Sequence, residues 1–182
     1  MSRAVAVTFG VGAAVVVALV AWLEGPEIGE RVVATDVVST PEVIARGEYL
    51  ARAGDCVACH TAVGETPFAG GRRIATPFGD VYSSNLTPDD ATGIGRWSRS
   101  DFWRALHYGK SRDGRRLYPA FPYPNLTRVT REDSDAIFAY LKSLPPVAHA
   151  QPAATVGFPF RTDLALRVWR DRKSTRLNSS HT

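Results

Sequence analysis

Internal methionine is absent from the 182-residue sequence: the one methionine is Met1, so no thioether ligand for a metal lies inside the chain. Cysteine is scarce, and two residues exclude a disulfide-rich scaffold. Charge of one sign is not in excess: 22 basic against 18 acidic side chains give +4, which excludes a polyelectrolyte-like disordered chain. No Ser-His-Asp arrangement, phosphate-binding glycine loop or paired-carboxylate site stands out. What is present is 45% hydrophobic residues, enough to bury one core and too little chain for two large domains.

The last twelve residues, 171–182, have no apolar period and no cap. Asp171 to His181 back-translates frame for frame onto a common short-read sequencing adapter, and the segment is expected not to be native. Without it three basic residues and one acidic residue drop out, leaving +2, and the charge argues for no nucleic-acid partner.

Hydrophobic runs are equally restricted. The one long uncharged run is Ala4 to Leu23, whose twenty residues would span roughly 30 Å as a helix, the thickness of a bilayer core. Secretory signals have a shorter apolar region of about 7–15 residues and a small-x-small cleavage site. Here Trp22-Leu23-Glu24 closes the run, and the nearest cleavage candidate, at Ala21, is poor. The expectation is a transmembrane signal anchor over 1–23, with a cleaved signal as the alternative, followed by a linker over 24–40. Arg3 stays on the cytoplasmic side, and either reading exports the rest of the chain.

Three helices are expected beyond the linker. Pro41 to Ala53 has Thr40 as cap and Pro41 in the first turn. Gly47 inside it costs about 1 kcal/mol relative to alanine and points to close approach of another helix. Trp97 to Leu106 is capped by Ser98 or Ser100 and ended by Gly109. Thr130 to Leu144 opens on Thr130-Arg131-Glu132-Asp133, a capping-box pattern with aspartate for glutamate, and stops at Pro145-Pro146. Thr61 to Arg96, rich in Gly, Pro, Thr and Asp, reads as ordered loop without strands. So much loop in a small domain calls for something else to organise it, such as a bound cofactor.

The chemistry sits in Cys56-Val57-Ala58-Cys59-His60, the c-type haem attachment pattern. Two thiols three positions apart reach two vinyl groups of one porphyrin, and the adjacent histidine reaches the iron from one face. The competing readings are a redox dithiol, which expects a βαβ setting; a zinc site, which needs four ligands; and two cysteines that oxidise together in an exported protein. His107 and His149, the other histidines outside the tail, form no ligand pair.

Ala45 to Thr61, with that motif at its end, resembles exported cytochrome c subunits of membrane-bound dehydrogenases. So do Phe68 to Gly71, Ile74 to Gly79, Tyr82 to Pro88, Thr92 to Trp97, Leu117 to Tyr123 and Tyr140 to Pro146. Such subunits serve alcohol, gluconate and aldehyde dehydrogenases and isoquinoline-type molybdenum hydroxylases. The resemblance covers residues 41 to 170. It implies an all-α, class I cytochrome c fold with long ordered loops over 41–148, preceded by the N-terminal transmembrane helix. Gly47 and Tyr49 would face Tyr140 and Leu141 where the first and last helices cross.

The resemblance also implies a covalent haem c on Cys56 and Cys59, His60 on the iron, and Arg72, Arg73, Tyr82, Asn85, Trp97, Tyr118 and Phe121 about the ring and its propionates. Many members carry methionine as sixth iron ligand where this chain has Phe121. The sixth position is then empty, water-filled or taken by His107, whose alternative role is surface hydrogen bonding. Members often hold several haem domains in series, and 149–170 resembles the start of an interdomain linker.

The implied role is electron transfer on the periplasmic side of the inner membrane, held by the N-terminal helix, from a dehydrogenase catalytic subunit toward a quinone or terminal oxidase. The competing class is a haem protein with an open sixth site, acting as a gas or peroxide sensor or as a peroxidase-like enzyme. A structural subunit with a vestigial haem site is a third reading.

Overall fold

A computed structural model describes residues 39–166. Contacts divide the chain into Met1–Asp36 and Val37–Thr182, and all described residues lie in the second unit. In chain order come helix α1 (Pro41–Ala53), the one-turn helix α2 (Cys56–Cys59), strands β1 (Arg73–Thr76) and β2 (Gly79–Tyr82), helix α3 (Arg99–Tyr108), the short α4 (Tyr123–Leu126) and helix α5 (Arg131–Ser143).

The caps explain where the helices start. The Thr40 hydroxyl accepts from the Val43 amide and Pro41 opens α1. Ser98 and Asp101 form a reciprocal capping box at α3, so that helix starts at Arg99, two residues later than the apolar pattern of Trp97 suggests. Gly109, with φ of 55°, closes it through its amide on the Ala105 and Arg104 carbonyls. Thr130 caps α5 by accepting from the Asp133 amide, while the Asp133 carboxylate turns to Arg46 of α1, 2.6 Å away.

Helices α1 and α5 make the main contact of the fold. A Cβ on Gly47 would overlap the Ala136 carbonyl oxygen and lie 2.6 Å from its carbon and 2.9 Å from Tyr140 Cβ. Only glycine lets the backbones come this close. Ala51 and Leu141 beside the crossing have no exposed surface. Tyr49, expected at the same crossing, instead points to solvent at 71% exposure. The core joins Ala51, Phe68, Ile94, Phe102, Leu106, Ile137, Phe138 and Leu141. Burying a side chain such as Leu141 contributes about 1.5–3 kcal/mol.

The expectation of an all-α domain behind a transmembrane helix needs correction. β1 and β2 pair antiparallel, from Arg73 opposite Tyr82 to Thr76 opposite Gly79, so the segment read as strandless loop contains a hairpin. Four residues per strand are too few to print an alternating pattern on the sequence. Among the described residues no helix is long and apolar enough to cross a membrane, and the run over 4–23 lies outside them. So do the linker up to residue 38 and the segment 171–182.

Residues 145–166 lie against the body as a strap. Val147 bonds with Asn85 and Thr87, Thr155 with Asp80, and Phe160 stacks on Phe78 at 3.9 Å. The start of the expected linker is thus docked.

Candidate haem site

α1 ends at Gly54, whose amide bonds to the Leu50 carbonyl, and Asp55 then takes φ of 53°. That left-handed residue turns the chain so that α2 begins at once with Cys56. Cys56 and Cys59 are free thiols. They stand three positions apart on one helical turn and so share a face. The His60 amide bonds back to the Cys56 carbonyl at 3.0 Å and continues the turn. Burial pushes the Cys56 thiol up, with the nearby Asp55 carboxylate adding to it, so it is protonated at neutral pH.

His60 is held at both ends. Its Nδ1 lies 2.8 Å from the Ser84 carbonyl oxygen. A carbonyl only accepts, so Nδ1 carries the proton and Nε2 keeps its lone pair. Burial lowers the His60 pKa and the Ser84 carbonyl opposes it, which leaves the ring neutral at pH 7. The His60 carbonyl accepts from the Gly70 amide at 2.8 Å.

Leu50, Cys56, Val57, Leu86, Trp97, Phe121, Leu126, Tyr140 and Leu144 are partly buried and pack against the core. Two thiols on one face, a neutral histidine with Nε2 available and partly exposed apolar side chains that include Cys56 and Val57 fit a covalently attached c-type haem.

The other expected contacts divide. Trp97 and Phe121 are partly buried against the core. Tyr82 is half-buried at the end of β2, and the Tyr118 carbonyl accepts from the Phe121 amide at 3.0 Å. The exposed Arg73 pairs with Asp80 at 2.6 Å, and Arg72 beside it is exposed. Asn85 is 1% exposed with both polar atoms of its side chain committed to protein. His107 stacks on Trp103 at 3.5 Å and donates Nε2–H to the Val129 carbonyl at 2.9 Å. Phe121 packs partly buried against the core with a side chain that has no donor atom for iron. Ser84 and Gly70 lie in the runs that carry the resemblance but were not singled out: Ser84 acts through a backbone carbonyl that any residue carries, and Gly70 is needed because a Cβ there would lie 2.6 Å from the Ser84 carbonyl carbon.

The family model described as Cytochrome c matches residues 44–145, more than half of the chain. The chain belongs to the cytochrome c family. The cytochrome c domain is 48% identical over 129 residues to the gluconate 2-dehydrogenase cytochrome c subunit of Pantoea cypripedii, covering 70% of this chain and 29% of that protein. It is 41% identical over 141 residues to the quinone alcohol dehydrogenase cytochrome c subunit of Gluconacetobacter polyoxogenes, covering 75% and 30%. It is 42% identical over 129 residues to the fructose dehydrogenase cytochrome subunit of Gluconobacter japonicus, covering 70% and 26%. The chain therefore spans less than a third of the length of these relatives. The resemblance in the sequence stands, and with it a covalent c-type haem. These relatives are cytochrome subunits of dehydrogenases, which agrees with an electron-carrying role and does not favour a gas-sensing or peroxidase-like one.

Proposed function

We propose that this cytochrome c domain passes single electrons from a partner dehydrogenase toward a quinone or terminal oxidase, on the periplasmic side. A c-type haem supplies a reversible one-electron centre when bound. Cys56 and Cys59 hold it by thioether links, and His60 offers Nε2 to the iron. Trp97, Phe121, Leu86 and Val57 would keep water from the ring, and the exposed Arg72 and Arg73 are candidate propionate partners. Covalent attachment suits an exported protein, because the group cannot be lost outside the cell.

The observation that carries this reading is the His60 Nδ1 contact with the Ser84 carbonyl. It fixes the ring and its tautomer and leaves the other nitrogen for iron. The dehydrogenase partner rests on the roles that the relatives' names state. The Nε2–H bond of His107 to Val129 has to break before that nitrogen can take the sixth position. The test is a pair of visible spectra, oxidised and reduced, on the full chain matured with haem, with carbon monoxide added to the reduced sample. A sharp reduced spectrum that carbon monoxide leaves unchanged supports a carrier. Rapid stoichiometric carbon monoxide binding moves the protein to the open-site class.

A further inference from the structure

The structure assigns Asn85 a positioning role: its side chain clamps the Ser84–Asn85 peptide whose carbonyl orients His60, and so sets the reduction potential. The inference rests on His60 being the iron ligand.

The peptide's carbonyl oxygen, on Ser84, receives His60 Nδ1–H at 2.8 Å. One face is closed by Gly70, where a Cβ would lie 2.6 Å from the Ser84 carbonyl carbon and 2.7 Å from the Asn85 nitrogen. The Gly70 amide in turn donates to the His60 carbonyl at 2.8 Å. His60, Gly70 and the Ser84–Asn85 peptide thus form a closed ring of contacts. Its flanks are tied by the Leu86 amide on the Phe68 carbonyl at 2.8 Å and the Gly71 amide on the Ser83 carbonyl at 2.9 Å.

Asn85 fixes the rotation of that peptide from the other side. Its Nδ2 donates to Thr92 Oγ1 at 2.9 Å and to the Val147 carbonyl at 2.7 Å. Its Oδ1 accepts from the Thr87 amide at 2.9 Å and the Thr87 hydroxyl at 2.7 Å. Four bonds from a fully buried side chain hold one Cα against a loop and against the strap 62 residues away. No polar atom of the Asn85 side chain remains for a haem propionate, so that side chain's value to the site is mechanical. A firm Nδ1–H bond to a carbonyl raises the basicity of an imidazole ligand and favours the oxidised metal. Loosening the clamp weakens that bond and shifts the potential upward.

The test is the reduction potential of the matured full chain, with exchange of the His60 ring N–H proton followed by NMR. Asn85→Leu keeps the bulk, brings no charge and removes all four bonds. It is expected to raise the potential by about 59 mV, a tenfold change in the one-electron equilibrium, and to speed proton exchange. Thr92→Val removes one of the four bonds and is expected to shift both readouts the same way by less. It decides the matter if Asn85→Leu yields no holoprotein. Phe102→Leu, a core change on α3, is the control for destabilisation alone and is expected to leave the potential at the wild-type value. Wild-type potential and exchange in both clamp variants, or an equal shift in Phe102→Leu, overturns the inference. His60→Ala separates the two claims. If its spectrum matches wild type, the ligand reading has failed; if it changes while the clamp variants do not shift, the positioning role alone has failed.

Discussion

Gly47→Ala sets helix propensity directly against packing. In an isolated helix the change gains about 1 kcal/mol. Here the new methyl overlaps the Ala136 carbonyl oxygen and lies 2.6 Å from its carbon. Both atoms are backbone of α5, so no side chain can swing away. The helices must move apart along the contact that buries Ala51 and Leu141. Overpacking costs typically about 1–3 kcal/mol, and a backbone obstacle places it at or above the upper end. A net loss of about 2 kcal/mol lowers Tm by roughly 8–16 °C at about 4–8 °C per kcal/mol for a domain near 100 residues. Thermal unfolding of the holoprotein, followed by far-UV circular dichroism, measures this. A Gly47→Ala protein as stable as wild type, or more so, would refute the close crossing.

The remaining predictions concern the site and the loops. Cys56→Ser and Cys59→Ser each remove one thioether; the intact-protein mass is expected to show haem on the wild type and loss of attachment in the double variant. His107→Ala is expected to leave the visible spectrum unchanged while costing about 1–2 kcal/mol of stability, because the ring gives up its Trp103 stack and its bond to Val129. Asp80→Asn breaks an exposed pair with Arg73 and is expected to cost no more than about 1 kcal/mol by denaturant unfolding. The Asp89 carboxyl is held below its usual value by the Thr92 hydroxyl and amide. Its contribution is full above the unfolded pKa of about 3.9 and is lost as pH falls through the lower folded value. Asn at position 89 keeps the acceptor without titrating, so the Asp89→Asn protein is expected to lose stability less steeply below that pH. Identical acid slopes would contradict this.

The site was legible where chemistry lives in side-chain identity. Cys56, Cys59 and His60 announce themselves by spacing. The fold was legible where local signals agree: Thr40 and Pro41 at α1, Ser98 and Gly109 around α3, Thr130 and Pro145 around α5. Reading failed where the deciding partner is distant in sequence. The hairpin of Arg73–Thr76 and Gly79–Tyr82 is secured by Ser83 with Arg72 and by Thr155 on Asp80, contacts with no periodic trace. Asn85 looks from the sequence like a polar loop residue near a cofactor. Its four bonds, to Thr87, to Thr92 and to Val147 62 residues on, make it a clamp. Tyr49 was placed at the crossing by the family resemblance and not by its spacing, and there Gly47 and Ala51 pack while the Tyr49 ring lies outside.

The central claim is a covalently held one-electron carrier. A redox titration of the matured full chain followed in the visible spectrum, with haem extraction by acidified acetone tried on a separate portion, tests it most directly. The account predicts that colour stays with the protein and that one reversible one-electron transition is traced identically in both directions. Colour lost to the solvent, or a transition that does not reverse, would contradict it.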